Sequence, residues 1–323
     1  MPNDTLLSVR NLSKRYTTGS RFRPSGRRVT DAVTDVSLNL AIGETLGIVG
    51  ESGSGKSTLG RCILRLTEPT TGQIHFEGTD LVTLSARSLR AIRPRLQMVF
   101  QNTAGALNPR RRIGDLLAEP LRIHTRKSTS EMTAEIHRLL GKVGLKPDLL
   151  SRLPHQLSGG QRQRIGLARA LMLSPRLIIA DEAVSALDVS VQAQVINLFL
   201  DLQESERLAC IFISHDLRVI RQVAHRTAVM YAGSIVETGE TLSLLAEPAH
   251  PYTAALLAAV PSTDPTKPKP KHPPAPNEAR ADAQTSCPFH PRCPRAAAPC
   301  RTQRPPLTDR QGRAVACFFP LTG

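Results

Sequence analysis

The sequence predicts an α/β fold built on a parallel sheet, and two observations carry that prediction. Four short apolar runs, TLGIVG (45–50), LQMVF (96–100), RLIIAD (176–181) and ACIFIS (209–214), are bounded by turn residues and separated by helical patterns. Runs buried on both faces and alternating with helices are the rhythm of parallel strands with crossover helices. The first run also leads into a glycine-rich turn, GESGSGKST, and then into a helix, LGRCILRL. With 323 residues, 40% of them hydrophobic, the chain can bury one large core or two smaller ones.

The elements follow in order. LLSVRNL and QIHFEG alternate and predict antiparallel strands near the N-terminus. From about 105 to 172 the pattern is mostly helical, a subdomain inserted between strands. AVMYAGSIVETG (228–239) predicts a hairpin turning at Ala232-Gly233. These elements make a main domain over 1–261. Residues 262–286 are rich in proline and charge and predict an extended linker. A Cys-rich extension, 287–323, closes the chain. No internal repeat is visible.

Composition narrows the function. No apolar run approaches the ~18–20 residues of a membrane span, and MPNDTLLSVRNLSKRY lacks the basic-then-apolar pattern of a signal peptide. The expected compartment is the cytoplasm, where thiols stay reduced. The net charge of +15 suits nucleic acid or an anionic membrane surface, and RFRPSGRR (21–28) and KPKPKH (267–272) hold much of it. Aromatic residues are only 3% and tryptophan is absent, so base stacking has little to use. No nucleic-acid partner is expected.

GESGSGKST matches G-x-x-x-x-G-K-[ST] in its required setting, after a buried strand and before a helix. Gly50, Gly53 and Gly55 let the backbone turn tightly, so that N–H groups and a helix N-terminus face one concavity that favours phosphate. Lys56 can reach the outer phosphates, and Ser57 offers a hydroxyl to Mg²⁺. The bland alternative is a glycine-rich turn that binds nothing. RLIIADE delivers Asp181 and Glu182 at a strand's C-terminal end, where open α/β sheets hold ligands. Asp181 suits the Mg²⁺ shell and Glu182 suits polarisation of an attacking water. Alone, two such carboxylates could equally be helix-capping residues. In LSGGQRQRIGLARAL (157–171), Ser158-Gly159-Gly160 opens an amphipathic helix. One nucleotide cannot easily use both this turn and the 50–58 loop of one compact chain, so the pattern suits two chains facing each other.

LSGGQRQRIGLARAL resembles the signature of ATP-binding-cassette ATPases. The resemblance implies a P-loop nucleotide-binding core with a parallel sheet, an N-terminal antiparallel β subdomain and an inserted α-helical signature subdomain. It implies that Gln101 senses Mg²⁺ and the γ-phosphate, and that His215 in FISHD contacts that phosphate. SALD (185–188), with Asp188, resembles the loop that crosses the dimer seam. Tyr16 in SKRY stands where the family stacks an aromatic on adenine. Ser52 and Thr58 complete the phosphate loop. Ser158, Gly159, Gly160 and Gln161 serve the partner's ATP. FQNTAGALNPRRRIGD, PHQLSGGQRQR, HPYTAALLAAVP and CPFHPRCP are similar to the dipeptide and oligopeptide importer ATPases. Ala183 departs from the subfamily's proline after the catalytic glutamate. The resemblance implies ATP hydrolysis with Mg²⁺ by a dimer of ATPase subunits at the cytoplasmic face of the membrane. Its further partners are two transmembrane permeases and an external substrate-binding protein. Residues 102–115 should dock a permease helix. A soluble cassette ATPase acting on nucleic acid is the alternative. The 125-residue separation of Lys56 and Asp181 leaves no room for the long insertions of DNA-repair relatives.

Four of the six cysteines, Cys287, Cys293, Cys300 and Cys317, crowd into the extension with the spacing C-x5-C-x6-C-x16-C. Structural zinc usually takes C-x2–4-C pairs, which are absent here. Longer intervals can still surround a cubane. The resemblance extends to a [4Fe–4S] cluster carried by the tails of some family members, with zinc and unligated thiols as alternatives. Cys62 and Cys210 lie in apolar contexts and are expected in the core.

Overall fold

A computed structural model describes residues 5–18, 28–101, 103–185, 188–260, 285–310 and 312–321. Most of the basic run 21–28, the run 267–272, linker residues 262–284, and Asn102, Ala186 and Leu187 lie outside the described residues.

The chain opens with two long strands, β1 (Thr5–Thr18) and β2 (Arg28–Ala41), and the short buried strand β3 (Thr45–Val49). Helix α1 (Lys56–Ile63) starts in the glycine-rich turn. Next come β4 (Thr71–Phe76), β5 (Thr79–Asp80), α2 (Ala86–Ile92) and β6 (Leu96–Val99). The sheet expected near the N-terminus has the order β2-β1-β4-β5. The stretch expected to be helical holds α3 (Thr103–Ala106), α4 (Ile113–His124), α5 (Thr129–Lys142) and α6 (Gly159–Leu171). Then follow β7 (Leu177–Asp181), α7 (Val189–Glu206), β8 (Ala209–Ser214), α8 (Leu217–Val223) and the hairpin β9 (Arg226–Tyr231) and β10 (Ser234–Glu240). Helices α9 (Thr241–Ala246) and α10 (Pro251–Ala258) precede the extension, which forms α11 (Ala298–Thr302), β11 (Thr308–Arg310) and β12 (Arg313–Val315).

The chain divides into two compact units. The first holds 1–7, 39–45 and 75–213. Its strands β6, β7 and β8 are parallel, with Leu96 beside Leu177 and Asp181 beside Ile213. All five residues of β7 are buried, because both faces of a central parallel strand are covered. Helix α4 turns Ile113, Leu116, Leu117 and Leu121 inward at helical spacing. Glu119 on the same helix pairs with Arg111 at 2.5 Å and with Arg169 of α6 at 2.9 Å.

The second unit holds 8–38, 46–74 and 214–323. Strand β3 is parallel to β9, which pairs antiparallel with β10. Ala232 (φ 44°) and Gly233 (φ 87°) make the two-residue turn that joins Tyr231 to Ser234. Two positive φ values in a two-residue loop match the twist of the flanking strands. The extension does not stand apart. Strand β12 adds to β10, with Val315 beside Glu237, and β11 adds to β12. The carboxylate of Glu237, fully buried, accepts the N–H groups of Ala249 (2.8 Å) and His250 (2.9 Å). Backbone donors to a buried carboxyl group offset the cost of taking it out of water. Cys62 and Cys210 are core residues, 0% and 4% exposed. Burial pushes the Cys210 thiol up to about 12.

Candidate active site

The phosphate loop belongs to the second unit and is shaped by two close approaches. A Cβ on Gly50 (φ 153°) would lie 2.1 Å from the Met230 carbonyl oxygen. One on Gly55 (φ 101°) would lie 2.1 Å from that of Ala32. Any side chain at either position would collide with backbone. The loop is braced from the hairpin turn as well, where the Gly233 N–H donates to the Ser54 carbonyl at 2.9 Å. Helix α1 then begins with no side-chain cap and no acidic residue in its first turn. Such a helix start keeps its partial positive charge for an anion. Lys56 is 4% exposed, and its ammonium donates to the carbonyls of Gly50 (2.7 Å) and Glu51 (2.8 Å) and to Ser54 Oγ (3.4 Å). The cation therefore lies inside the curve of the loop, where a polyphosphate would need it.

Two further candidates lie in this unit. His215 is exposed just after β8. Tyr16 is exposed near the end of β1, with the Lys14 ammonium 5.0 Å from the ring centroid.

The first unit holds the carboxylates. Asp181 ends β7 and is 2% exposed. Glu182 follows in the left-handed region at φ 47°, a strained place for a residue with a Cβ. Hydrogen bonds hold it there. Its N–H donates to the Ile213 carbonyl at 2.9 Å, and its own carbonyl accepts from the N–H (3.2 Å) and hydroxyl (3.0 Å) of Ser185. The turn re-aims the carboxylate, and Gln101 Nε2 donates to Glu182 Oε2 at 2.7 Å. Two residues 81 positions apart in sequence thus share one site. Ala183, where the subfamily has proline, is buried beside this turn.

The first turn of α6 is closed by its own side chains. Ser158 is its N-cap, and its hydroxyl accepts the Gln161 N–H at 3.2 Å. Gln161 Oε1 in return accepts the Ser158 N–H at 3.0 Å. This is a capping box, so both side chains also serve their own helix. Gly160 packs against α7: a Cβ there would lie 2.4 Å from Val191 Cγ1. Gly159 and Asp188 are exposed.

In the extension the four cysteines close on one place. Cys287, Cys293, Cys300 and Cys317 line a single pocket, together with His250 and Phe289. The Cys287 N–H donates to the Cys300 carbonyl at 2.9 Å. Burial, with repulsion from the other three sulfurs, pushes the Cys287 thiol up to about 11. All four are free thiols. Among the described residues no three His, Cys, Asp or Glu side chains gather tightly enough to hold a metal ion.

Three residues near the loop escaped the sequence reading. Tyr252 of α10 and Arg292 of the extension both hold Glu51 of the phosphate loop: Tyr252 Oη accepts the Glu51 N–H at 2.8 Å, and Arg292 pairs with the Glu51 carboxylate. Tyr252 and Arg292 lie in the quoted stretches HPYTAALLAAVP and CPFHPRCP, but their partner is 201 and 241 positions away.

Comparison with known proteins fits this geometry. Residues 33–185 match the ABC transporter family, and 236–300 match the oligopeptide/dipeptide transporter C-terminal region. A probable peptide ABC transporter ATP-binding protein of Sinorhizobium fredii is 49% identical over 98% of this chain and 90% of its own. The chain belongs to the ATP-binding proteins of peptide ABC transporters. A di/tripeptide transport ATP-binding protein of Pseudomonas aeruginosa is 46% identical over 97% of each chain. Among solved structures, an ATP-binding cassette captured as a dimer after hydrolysis, with ADP and Pi, is similar at 29% identity and a TM-score of 0.66. That match covers 73% of this chain and 98% of that one. As a member of this family the chain is an ATPase, and ATP with Mg²⁺ is its cofactor. No helix among the described residues is long and apolar enough to cross a membrane.

Proposed function

We propose that this ATPase forms one half of an ATP-sandwich dimer that drives a di- or oligopeptide importer from the cytoplasmic face of the membrane. Its partners are two permease subunits, a second identical or related ATPase chain, and a substrate-binding protein that delivers peptide to the permeases. Whole-length similarity to peptide-import subunits supports this assignment over the nucleic-acid alternative. Residues 102–115 dock a permease helix.

The residues divide the chemistry. Gly50, Ser52, Gly53, Gly55, Lys56 and Thr58 cradle the phosphates, and Tyr16 stacks on adenine. Ser57, Gln101 and Asp181 hold Mg²⁺, which supplies charge neutralisation at the transferring phosphoryl group. Glu182 orients and polarises the attacking water, and His215 contacts the γ-phosphate. Ser158, Gly159, Gly160, Gln161 and Asp188 serve the partner's nucleotide. The observation that carries the hydrolytic assignment is the 2.7 Å bond between Gln101 and Glu182. It fixes a carboxylate beside the expected metal sensor. Glu182→Gln should lower phosphate release by about 10²–10⁴-fold while MgATP still binds and the dimer is trapped. Normal hydrolysis by that variant would remove the assigned role.

Cys287, Cys293, Cys300 and Cys317 hold a [4Fe–4S] cluster. Four thiols around one pocket, with no C-x2–4-C pair of the kind structural zinc takes, support a cubane over zinc. The raised thiol of Cys287 means that ligation must release a proton. Chain purified without oxygen should contain about four irons and four sulfides, lost on Cys293→Ser. Stoichiometric zinc, or neither metal, would refute the cluster and leave the ATPase intact.

A further inference from the structure

The phosphate loop contains a group that works against its task. Glu51 is the second residue of GESGSGKST, and its side chain is 40% exposed. A carboxylate on a loop that must bind a polyanion repels it, more strongly where protein walls exclude water. Something has to neutralise this charge and turn it aside.

Arg292 does both. Its side chain is 8% exposed, and its two terminal nitrogens donate to the two oxygens of Glu51, each at 2.9 Å. This is the bidentate fork that a guanidinium forms and an ammonium cannot. The guanidinium carbon also lies 5.8 Å from the Phe289 ring centroid and 6.0 Å from that of Tyr231. Aromatic faces at that distance help to hold a buried cation in place. Tyr231, Tyr252 and Phe289 form one cluster, with ring centroids 4.5–5.4 Å apart. Tyr252 fixes the backbone of the residue whose side chain Arg292 fixes, by accepting the Glu51 N–H. Glu51 is therefore gripped at its main chain by α10 and at its side chain by the extension.

We infer that Arg292 is a positioning residue for nucleotide binding: it neutralises Glu51 and sets the phosphate loop, which makes the Cys-rich extension part of the nucleotide site. The inference rests on the ATPase assignment and is independent of what the cysteines hold. Arg292 does not touch the reacting atoms. Its effect belongs on MgATP affinity more than on the chemical step.

The test is equilibrium binding of MgATP to the full-length chain, with KM and kcat measured on the same samples. Arg292→Gln should weaken MgATP binding about tenfold and raise KM in parallel, with kcat changed far less. Arg292→Lys keeps the charge but loses the fork, and should fall between. The decisive variant is the double change Glu51→Gln with Arg292→Gln. Removing the carboxylate that Arg292 neutralises should restore affinity to within about twofold of Glu51→Gln alone. A purely structural role for Arg292 would not be rescued this way. Unchanged affinity in Arg292→Gln, or a double variant as weak as that single one, overturns the inference. If Arg292→Gln does not fold, the Arg292→Lys and double variants decide it alone. Failure of the wild-type chain to bind MgATP would refute the ATPase assignment instead, so the two failures are distinct.

Discussion

Two helices of this chain begin at glycine-rich turns, and their first turns are completed in opposite ways. Helix α1 has no side-chain cap. Its loop is held from outside, by Gly233 on Ser54 and by Tyr252 and Arg292 on Glu51. Helix α6 caps itself through the reciprocal bonds of Ser158 and Gln161. The difference shows how each helix start is kept in shape. A helix start that closes on its own side chains is stable alone, but a ligand must compete with those side chains. A helix start braced by distant residues leaves its first turn for the ligand. Its shape then depends on the segments that brace it.

The comparison can be broken first at the brace. His250 is the N-cap of α10, the helix that carries Tyr252, and its Nδ1 accepts the Tyr252 N–H at 3.0 Å. Burial lowers its pKa to about 4, against a weaker opposing hydrogen bond with Ala316. A proton on Nδ1 would abolish the cap and place positive charge at a helix N-terminus. The unfolded chain protonates near the ordinary histidine value of about 6.5, well before the folded one. The neutral histidine therefore contributes fully above that value, and stability falls as pH drops from 6.5 towards 4. The loss across that window is on the order of 3 kcal/mol. His250→Asn keeps a capping oxygen and does not titrate there. Denaturant melts at pH 7 and pH 4.5 should converge for that variant and diverge for the wild-type chain. Equal slopes in both would deny the buried neutral state its role.

The same contrast explains what could be read from the sequence. The phosphate loop, the strand ending in Asp181-Glu182 and the hairpin at Ala232-Gly233 are local. Each needs only neighbouring residue types to fix its backbone, so each was legible. The Gln101–Glu182 pair was half legible: both residues could be named, but only β6 and β7 lying side by side brings them to 2.7 Å. The grip on Glu51 was not legible at all. Its partners are 201 and 241 positions away, and proline-rich, cysteine-rich sequence looks like a detached module. The edge strand β11 and its neighbour β12 were not legible for a related reason: three residues each are too few to show alternation. Ser158 carries two meanings in one pattern. The S-x-x-Q spacing of Ser158 and Gln161 is a capping-box pattern, and the same residues lie in the stretch that resembles the ATPase signature.

That double meaning gives the prediction with the smallest effect on stability. If the Ser158 hydroxyl only closes α6, Ser158→Ala costs about 1 kcal/mol of stability and nothing in turnover. If the hydroxyl also serves the partner's nucleotide, it must exchange the Gln161 N–H for a phosphate oxygen in the closed dimer. The second case is expected here. Ser158 is exposed, and the bond it gives up is a long one at 3.2 Å. Ser158→Ala should then lower ATPase about tenfold at saturating ATP, the equivalent of one lost hydrogen bond. MgATP affinity of the separated chain should stay within twofold, because the phosphate loop is untouched. Ser158→Asn separates the two roles, since asparagine caps as well as serine but places its acceptor farther out. That variant should recover the lost stability without recovering turnover. Recovery of both would make Ser158 a cap alone, and the two helix starts would then differ in function as well as in construction.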